Sequence, residues 1–129
     1  MTLVATPIYA GCLALLLVVL SARVVMRRRD AKISIGDGDD KELIKRIRVQ
    51  GNCAEYVPLG ILLLCIVELA GAAIVLVHGF GLLLLAGRVM HAIGLSRTPQ
   101  VIILRVIGML MTFTALILSA LLSLYLGLT

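Results

Sequence analysis

Four stretches of the chain are apolar for long enough to cross a bilayer, and short polar segments separate them. Leu3–Ala22 carries no charge, and neither does Val106–Thr129. In Leu69–Gly87 the only ionisable group is His78, and Val49–Leu69 is interrupted by Gln50, Asn52, Glu55 and Glu68. Each stretch approaches the ~20 residues that cover ~30 Å of hydrocarbon as a helix. Alternation with period two is absent, which excludes a barrel, the other backbone arrangement that lipid tolerates. The pattern therefore predicts an all-α integral membrane protein, a single domain of four transmembrane helices over about 3–29, 40–69, 72–93 and 101–126. Short connections make neighbouring helices antiparallel, so the expected architecture is an up-down-up-down four-helix bundle. The first stretch has no basic residues ahead of it and exceeds the usual length of a signal-peptide core, so it is expected to remain as a span.

Polar and turn-forming residues refine the boundaries. Residues 30–40 (DAKISIGDGDD) form the one clearly soluble loop, with a turn at Gly36-Asp37-Gly38. Asp39 with Glu42 three residues later resembles an acidic capping box that starts the second helix near Asp40. That helix is then ~45 Å long at 1.5 Å per residue, so its first turns project beyond the hydrocarbon. Pro58 lies inside it and frees the carbonyl of Ala54. Gly71 marks a tight return into the third helix, and Pro99 sits in the loop before the fourth.

Composition removes the alternatives. The chain of 129 residues is 61% hydrophobic and 15% charged, whereas soluble domains are nearer half apolar and a quarter charged. All twelve Lys and Arg residues fall in Arg23–Arg48 and Arg88–Arg105. The positive-inside tendency puts both segments in the cytoplasm and both termini on the opposite side. The net charge of +5 is thus a topology signal, and nucleic acid is not an expected partner. Cys12, Cys53 and Cys65 all lie within spans and show no zinc or redox spacing, so they read as small buried hydrophobes and no metal is expected.

The chemistry sits on the second helix. Arg48, Asn52 and Glu55 are spaced i, i+4 and i+7, which places them on one stripe, with Tyr56 at its border. Gln50 lies well round the helix and meets a different neighbour. Charge inside a span is costly and marks a candidate site. Two readings stand. Asn52 bridges Arg48 and Glu55 into a network that only locks helices together. Alternatively, Arg48 holds a carboxylate by a forked contact, Glu55 an ammonium and Asn52 a peptide amide of a small zwitterion. Arg23, Arg88, Arg97 and Arg105 belong near the same level, where they either favour an anion or thiolate or simply snorkel. His91, one turn after Arg88, is a secondary candidate; His78 and Glu68 belong to the other end.

The run RIRVQGNCAEYVP, Arg46–Pro58, resembles the second-helix signature of the MAPEG family (membrane-associated proteins in eicosanoid and glutathione metabolism), R-x-x-x-N-x-x-E-[YF]-x-P. Arg48, Asn52, Glu55, Tyr56 and Pro58 fill every position. The basic first loop, Leu82–Gly94 and the start of the fourth helix at Arg105-x-x-Gly108-Met109 are similar too. The resemblance implies a homotrimer in which glutathione, as co-substrate, binds between subunits at the cytoplasmic side. Carried over, Arg48, Asn52, Glu55 and Tyr56 hold glutathione, with Gln50, Arg88 and His91 nearby and Arg23 supplied by the neighbouring subunit. Arg105 is the implied thiol-activating residue. The eicosanoid synthases have tyrosines near the end of the third helix where this chain has His91 and Leu95, which argues against eicosanoid chemistry. The implied activity is that of a microsomal-type glutathione transferase or peroxidase acting on lipophilic substrates from the surrounding lipid, in a bacterial inner membrane. A non-catalytic membrane scaffold or accessory subunit, with a purely structural polar cluster, is the rival reading. A transporter fits less well, because no pair of interrupted helices occurs in matching halves.

Overall fold

Glu68, near the end of the second span, determines where the first helix starts. In the computed structural model, which describes residues 2–129, its carboxylate accepts backbone N–H bonds from Val4, Ala5 and Thr6 at 2.5, 2.8 and 2.8 Å. These donors have no partner inside a helix, and a carboxylate there also opposes the positive end of the helix dipole. Helix α1 accordingly spans Thr6–Ala31, with Pro7 in its first turn where a missing N–H costs nothing. It ends as Lys32 turns left-handed (φ 57°) and its N–H returns to the carbonyls of Arg28 and Arg29.

The second helix, α2, covers Lys41–Leu69 and is capped by Asp40, whose Oδ1 accepts from the N–H of Leu43 at 2.8 Å. Asp39 does not cap the helix. It adopts φ 59°, and its N–H donates to Asp37 Oδ1 in a local turn. Arg27 grips the cap carboxylate with two nitrogens, at 3.0 and 2.7 Å. This forked contact, helped by the Leu43 N–H, holds the Asp40 carboxyl below its usual range. After Leu69 the chain reverses at Gly71 (φ 88°), a conformation open to glycine at little cost. Helix α3 follows over Ile74–Ser96 and α4 over Ile102–Leu128. Pro99 stops α3 from continuing, and the Val101 N–H reaches back to the Gly94 carbonyl at 3.0 Å.

All four helices are long and apolar enough to span a membrane, and no strand occurs among the described residues. The protein is an all-α, four-helix membrane bundle. Helices α2 and α3 form its centre; α1 packs against both on one side and α4 on the other, and α1 and α4 do not meet. The closest approach is between α3 and α4. A Cβ added to Gly108 lies 2.5 Å from the His91 backbone nitrogen, and one added to Gly94 lies 2.6 Å from that of Arg105. Glycine therefore lets these two backbones touch, as small residues do between membrane helices. Leu13, Leu64, Val77 and Leu84 fill the interior, while Leu15, Val18, Leu62, Val75, Leu110 and Leu121 point outward. That apolar exterior is what a bilayer or a neighbouring subunit covers.

Candidate functional site

The stripe on α2 divides into an exposed part and a buried part. Around the helix Asn52 lies about 40° from Arg48 and about 60° from Glu55. That rotation carries Asn52 into the interior, at 7% exposure, while Arg48 and Glu55 stay half exposed. Arg48 and Glu55 pair directly, Nη1 to Oε1 at 3.0 Å and Nη2 to Oε2 at 3.5 Å. Asn52 does not bridge them. Its Oδ1 instead accepts from Arg88 Nη1 of α3.

Arg88 organises the buried half. It is 2% exposed, yet no carboxylate approaches it. Its Nε donates to Thr112 Oγ1 at 2.9 Å, its Nη2 lies 2.9 Å from the Met109 sulfur, and its guanidinium sits 5.2 Å above the centre of the Tyr56 ring. Thr112 in turn donates to the Gly108 carbonyl, and Tyr56 packs edge-on against Phe113 at 5.6 Å. A desolvated guanidinium is tolerated when dipoles and an aromatic face take the place of a counter-ion. The arrangement links α2, α3 and α4 while leaving a net positive charge just behind the exposed pair. His91 is 3% exposed, its backbone pressed against Gly108.

The remaining candidates sit apart from this centre. Gln50 turns to α1, where its Nε2 lies 3.4 Å from Ser21 Oγ. Arg23 reaches from α1 to α3 and donates to Ser96 Oγ at 2.9 Å. Arg105 is exposed and donates to Gln100 Oε1 at 3.1 Å in the loop before α4. The four arginines expected at one level therefore do not converge within one chain: Arg88 is internal, Arg23 and Arg97 share the groove between α1 and α3, and Arg105 turns to Gln100 instead. No group of His, Cys, Asp or Glu suited to a metal ion occurs among the described residues.

Three contacts were not expected from sequence. Thr112 and Met109 partner Arg88, and Glu68 caps α1. A threonine inside the apolar run of α4 was the available signal for Thr112, since a hydroxyl in a span needs a partner. Nothing in the local sequence announced Met109 or the long-range contact of Glu68.

Comparison with known proteins bears on this geometry. The sequence model of the MAPEG family matches residues 6–125. The chain belongs to the MAPEG family. Inner membrane protein YecN of Escherichia coli (strain K12) is 40% identical over 118 residues, covering 92% of this chain and 88% of that relative. The protein of the same name from Escherichia coli O6:H1 (strain CFT073) matches to the same extent. As a MAPEG family member, the chain carries its second-helix signature on α2, with Arg48 and Glu55 outward and Asn52 and Tyr56 directed to Arg88.

Proposed function

We propose that the protein is a glutathione-binding enzyme of a bacterial inner membrane. In this reading it is a homotrimer, with the basic end in the cytoplasm and both termini outside. The observation that carries the reading is the Arg48–Glu55 pair on α2, whose partners stay 54% and 52% exposed within the chain. A pair that only locked helices together would lie between them. Here it stays half exposed, on a face this reading gives to a neighbouring subunit, with the uncompensated charge of Arg88 behind it.

The chemistry follows from these groups. Separated by a ligand, Arg48 offers two parallel donors to a carboxylate and Glu55 an acceptor to an ammonium. Asn52 spends its oxygen on Arg88, which leaves its amide nitrogen to donate to a peptide carbonyl. That division matches the γ-glutamyl end and the backbone of glutathione. Nearby guanidiniums favour the thiolate over the thiol, and Arg105, free of any carboxylate, is the candidate to face the sulfur. The thiolate attacks an electrophilic carbon of a lipophile arriving from the bilayer; the new S–C bond forms as the leaving group departs with its electron pair. Binding both reactants in a fixed relation supplies much of the rate.

Titration with dansyl-glutathione in detergent tests this directly. Saturable binding that Arg48→Ala and Glu55→Ala each abolish is the expected result; no saturation, or binding indifferent to both changes, refutes it. One observation favours a second reading for part of the cluster. All three Arg88 nitrogens are engaged internally, which fits a scaffold whose polar residues serve packing alone. That reading predicts a thermal midpoint unchanged by added glutathione.

A further inference from the structure

A groove of about 300 Å³ runs between α1 and α3, away from the Arg48–Glu55 face. Leu16, Leu20, Val89 and Ile93 form its walls, and Arg23 and Arg97 close it at the basic end of the bundle. Arg23 is held across the groove by its bond to Ser96 Oγ. Lys45 adds a third positive charge at the same rim, donating to the Arg97 carbonyl at 3.2 Å and to the Thr98 hydroxyl. Four of the six carboxylates of this end, all but Asp37 and Asp39 of the turn before α2, are paired elsewhere. Asp40 pairs with Arg27, Glu42 with Arg46, Glu55 with Arg48 and Asp30 with Arg29. Among the described residues, no ion pair reaches Arg23, Lys45 or Arg97.

We infer that this groove binds an anionic phospholipid, one acyl chain along the apolar walls and the phosphate between Arg97, Lys45 and Arg23. An apolar slot that ends in unpaired cations is complementary to an amphiphile with a negative head. The slot opens sideways, where Val19 and Ile93 are 56% and 42% exposed, so it faces the hydrocarbon rather than the aqueous phase. The rim lies where α3 gives way to the loop before α4, the level at which a spanning helix meets headgroups. Its volume is at the lower limit for small-molecule sites, which suits one chain and not a whole bulky ligand. Clustered basic residues at the end of a span are the usual recognition element for such headgroups. This inference does not depend on glutathione binding, and its test leaves Arg23 unchanged.

The delipidated full-length protein, equilibrated with equimolar phosphatidylglycerol and phosphatidylcholine and examined by native mass spectrometry, supplies the test. Preferential retention of phosphatidylglycerol is expected, weakened about fivefold for each charge removed in Lys45→Gln and Arg97→Gln. Val89→Phe, which fills the slot and leaves the rim intact, reduces retention of the same lipid. Because Lys45→Gln and Arg97→Gln change residues at the bundle rim, they keep the test available if Val89→Phe fails to fold. Equal retention of the two lipids overturns the inference, as does retention unaffected by the rim changes. A Val89→Cys protein that cross-links to a second copy overturns it too, because the groove is then covered by protein.

Discussion

Asn52→Ala removes the oxygen that anchors the buried guanidinium of Arg88. Arg88 is 2% exposed and donates through three nitrogens, to Thr112, Asn52 and the Met109 sulfur. Of these acceptors the Asn52 carbonyl is the strongest, since sulfur accepts weakly and the Thr112 hydroxyl is also engaged with Gly108. A hydrogen bond to a charged group contributes about 1.5–3 kcal/mol, and interhelical polar contacts in membranes fall toward or below the lower end of that range. The expected loss is therefore about 1–3 kcal/mol, most of it the cost of leaving a desolvated charge short of an acceptor. Arg48→Ala breaks an ion pair whose partners are 54% and 52% exposed, and such pairs contribute between about 0 and 1 kcal/mol. Stability read by reversible unfolding of the protein in mixed micelles of sodium dodecyl sulfate should thus separate two neighbours on one helix. Pairing Asn52→Ala with Arg88→Met should recover part of the loss, because the orphaned charge is gone. If Asn52→Ala matches the parent within about 0.5 kcal/mol, below the range expected for such a bond, the buried network does not have the role described.

Three further outcomes follow from the packing. Gly108→Ala drives a methyl group to within 2.5 Å of the His91 backbone and 2.6 Å of the Gly87 carbonyl. Neither is a flexible side chain, so α3 and α4 must separate at a cost of about 1–3 kcal/mol, seen as a lower thermal midpoint. Glu68→Ala removes the acceptor of three N–H groups at the start of α1 and should cost about 1 kcal/mol, with faster amide exchange at residues 4–6 and not elsewhere. The Asp40 carboxyl is held below the usual carboxylate range by Arg27 and the Leu43 N–H, so the folded state binds this proton less readily than the unfolded chain. Its contribution is present above the unfolded chain's pKa and fades as pH falls through the lower folded one. Limited proteolysis of residues 32–40 should accelerate only in strongly acidic buffer, and Asp40→Asn, which keeps a cap oxygen, should lose that pH dependence.

The membrane architecture was legible because charge-free runs of span length admit few alternatives. Boundaries were less so, for reasons visible in the chain. The apolar pattern begins at Leu3, but the first helix waits until Thr6 because its cap comes from Glu68, more than sixty residues away. The pattern of α3 fades near Ile93, yet the helix continues to Ser96 and is stopped by backbone geometry before Pro99. Periodicity identified the Arg48–Asn52–Glu55 stripe, but a helical wheel cannot say which neighbour a residue meets. A modest rotation sends Asn52 to Arg88 and leaves Arg48 with Glu55. Arg23, Arg97 and Arg105 share a level in sequence, yet only Arg23 and Arg97 share a groove, because level along the membrane normal says nothing of position around the bundle.

In the proposed function the stripe divides its duties: Arg88 and the Asn52 oxygen hold helices, while Arg48 and Glu55 take the two ends of the ligand. A structure of the assembled protein in the presence of glutathione tests that division most directly. The expected result is peptide density between subunits, with one end in contact with Arg48 and the other with Glu55, their mutual ion pair opened and the Arg88–Asn52 bond unchanged. An Arg48–Glu55 pair still closed at saturating glutathione, with no density beside it, would contradict it.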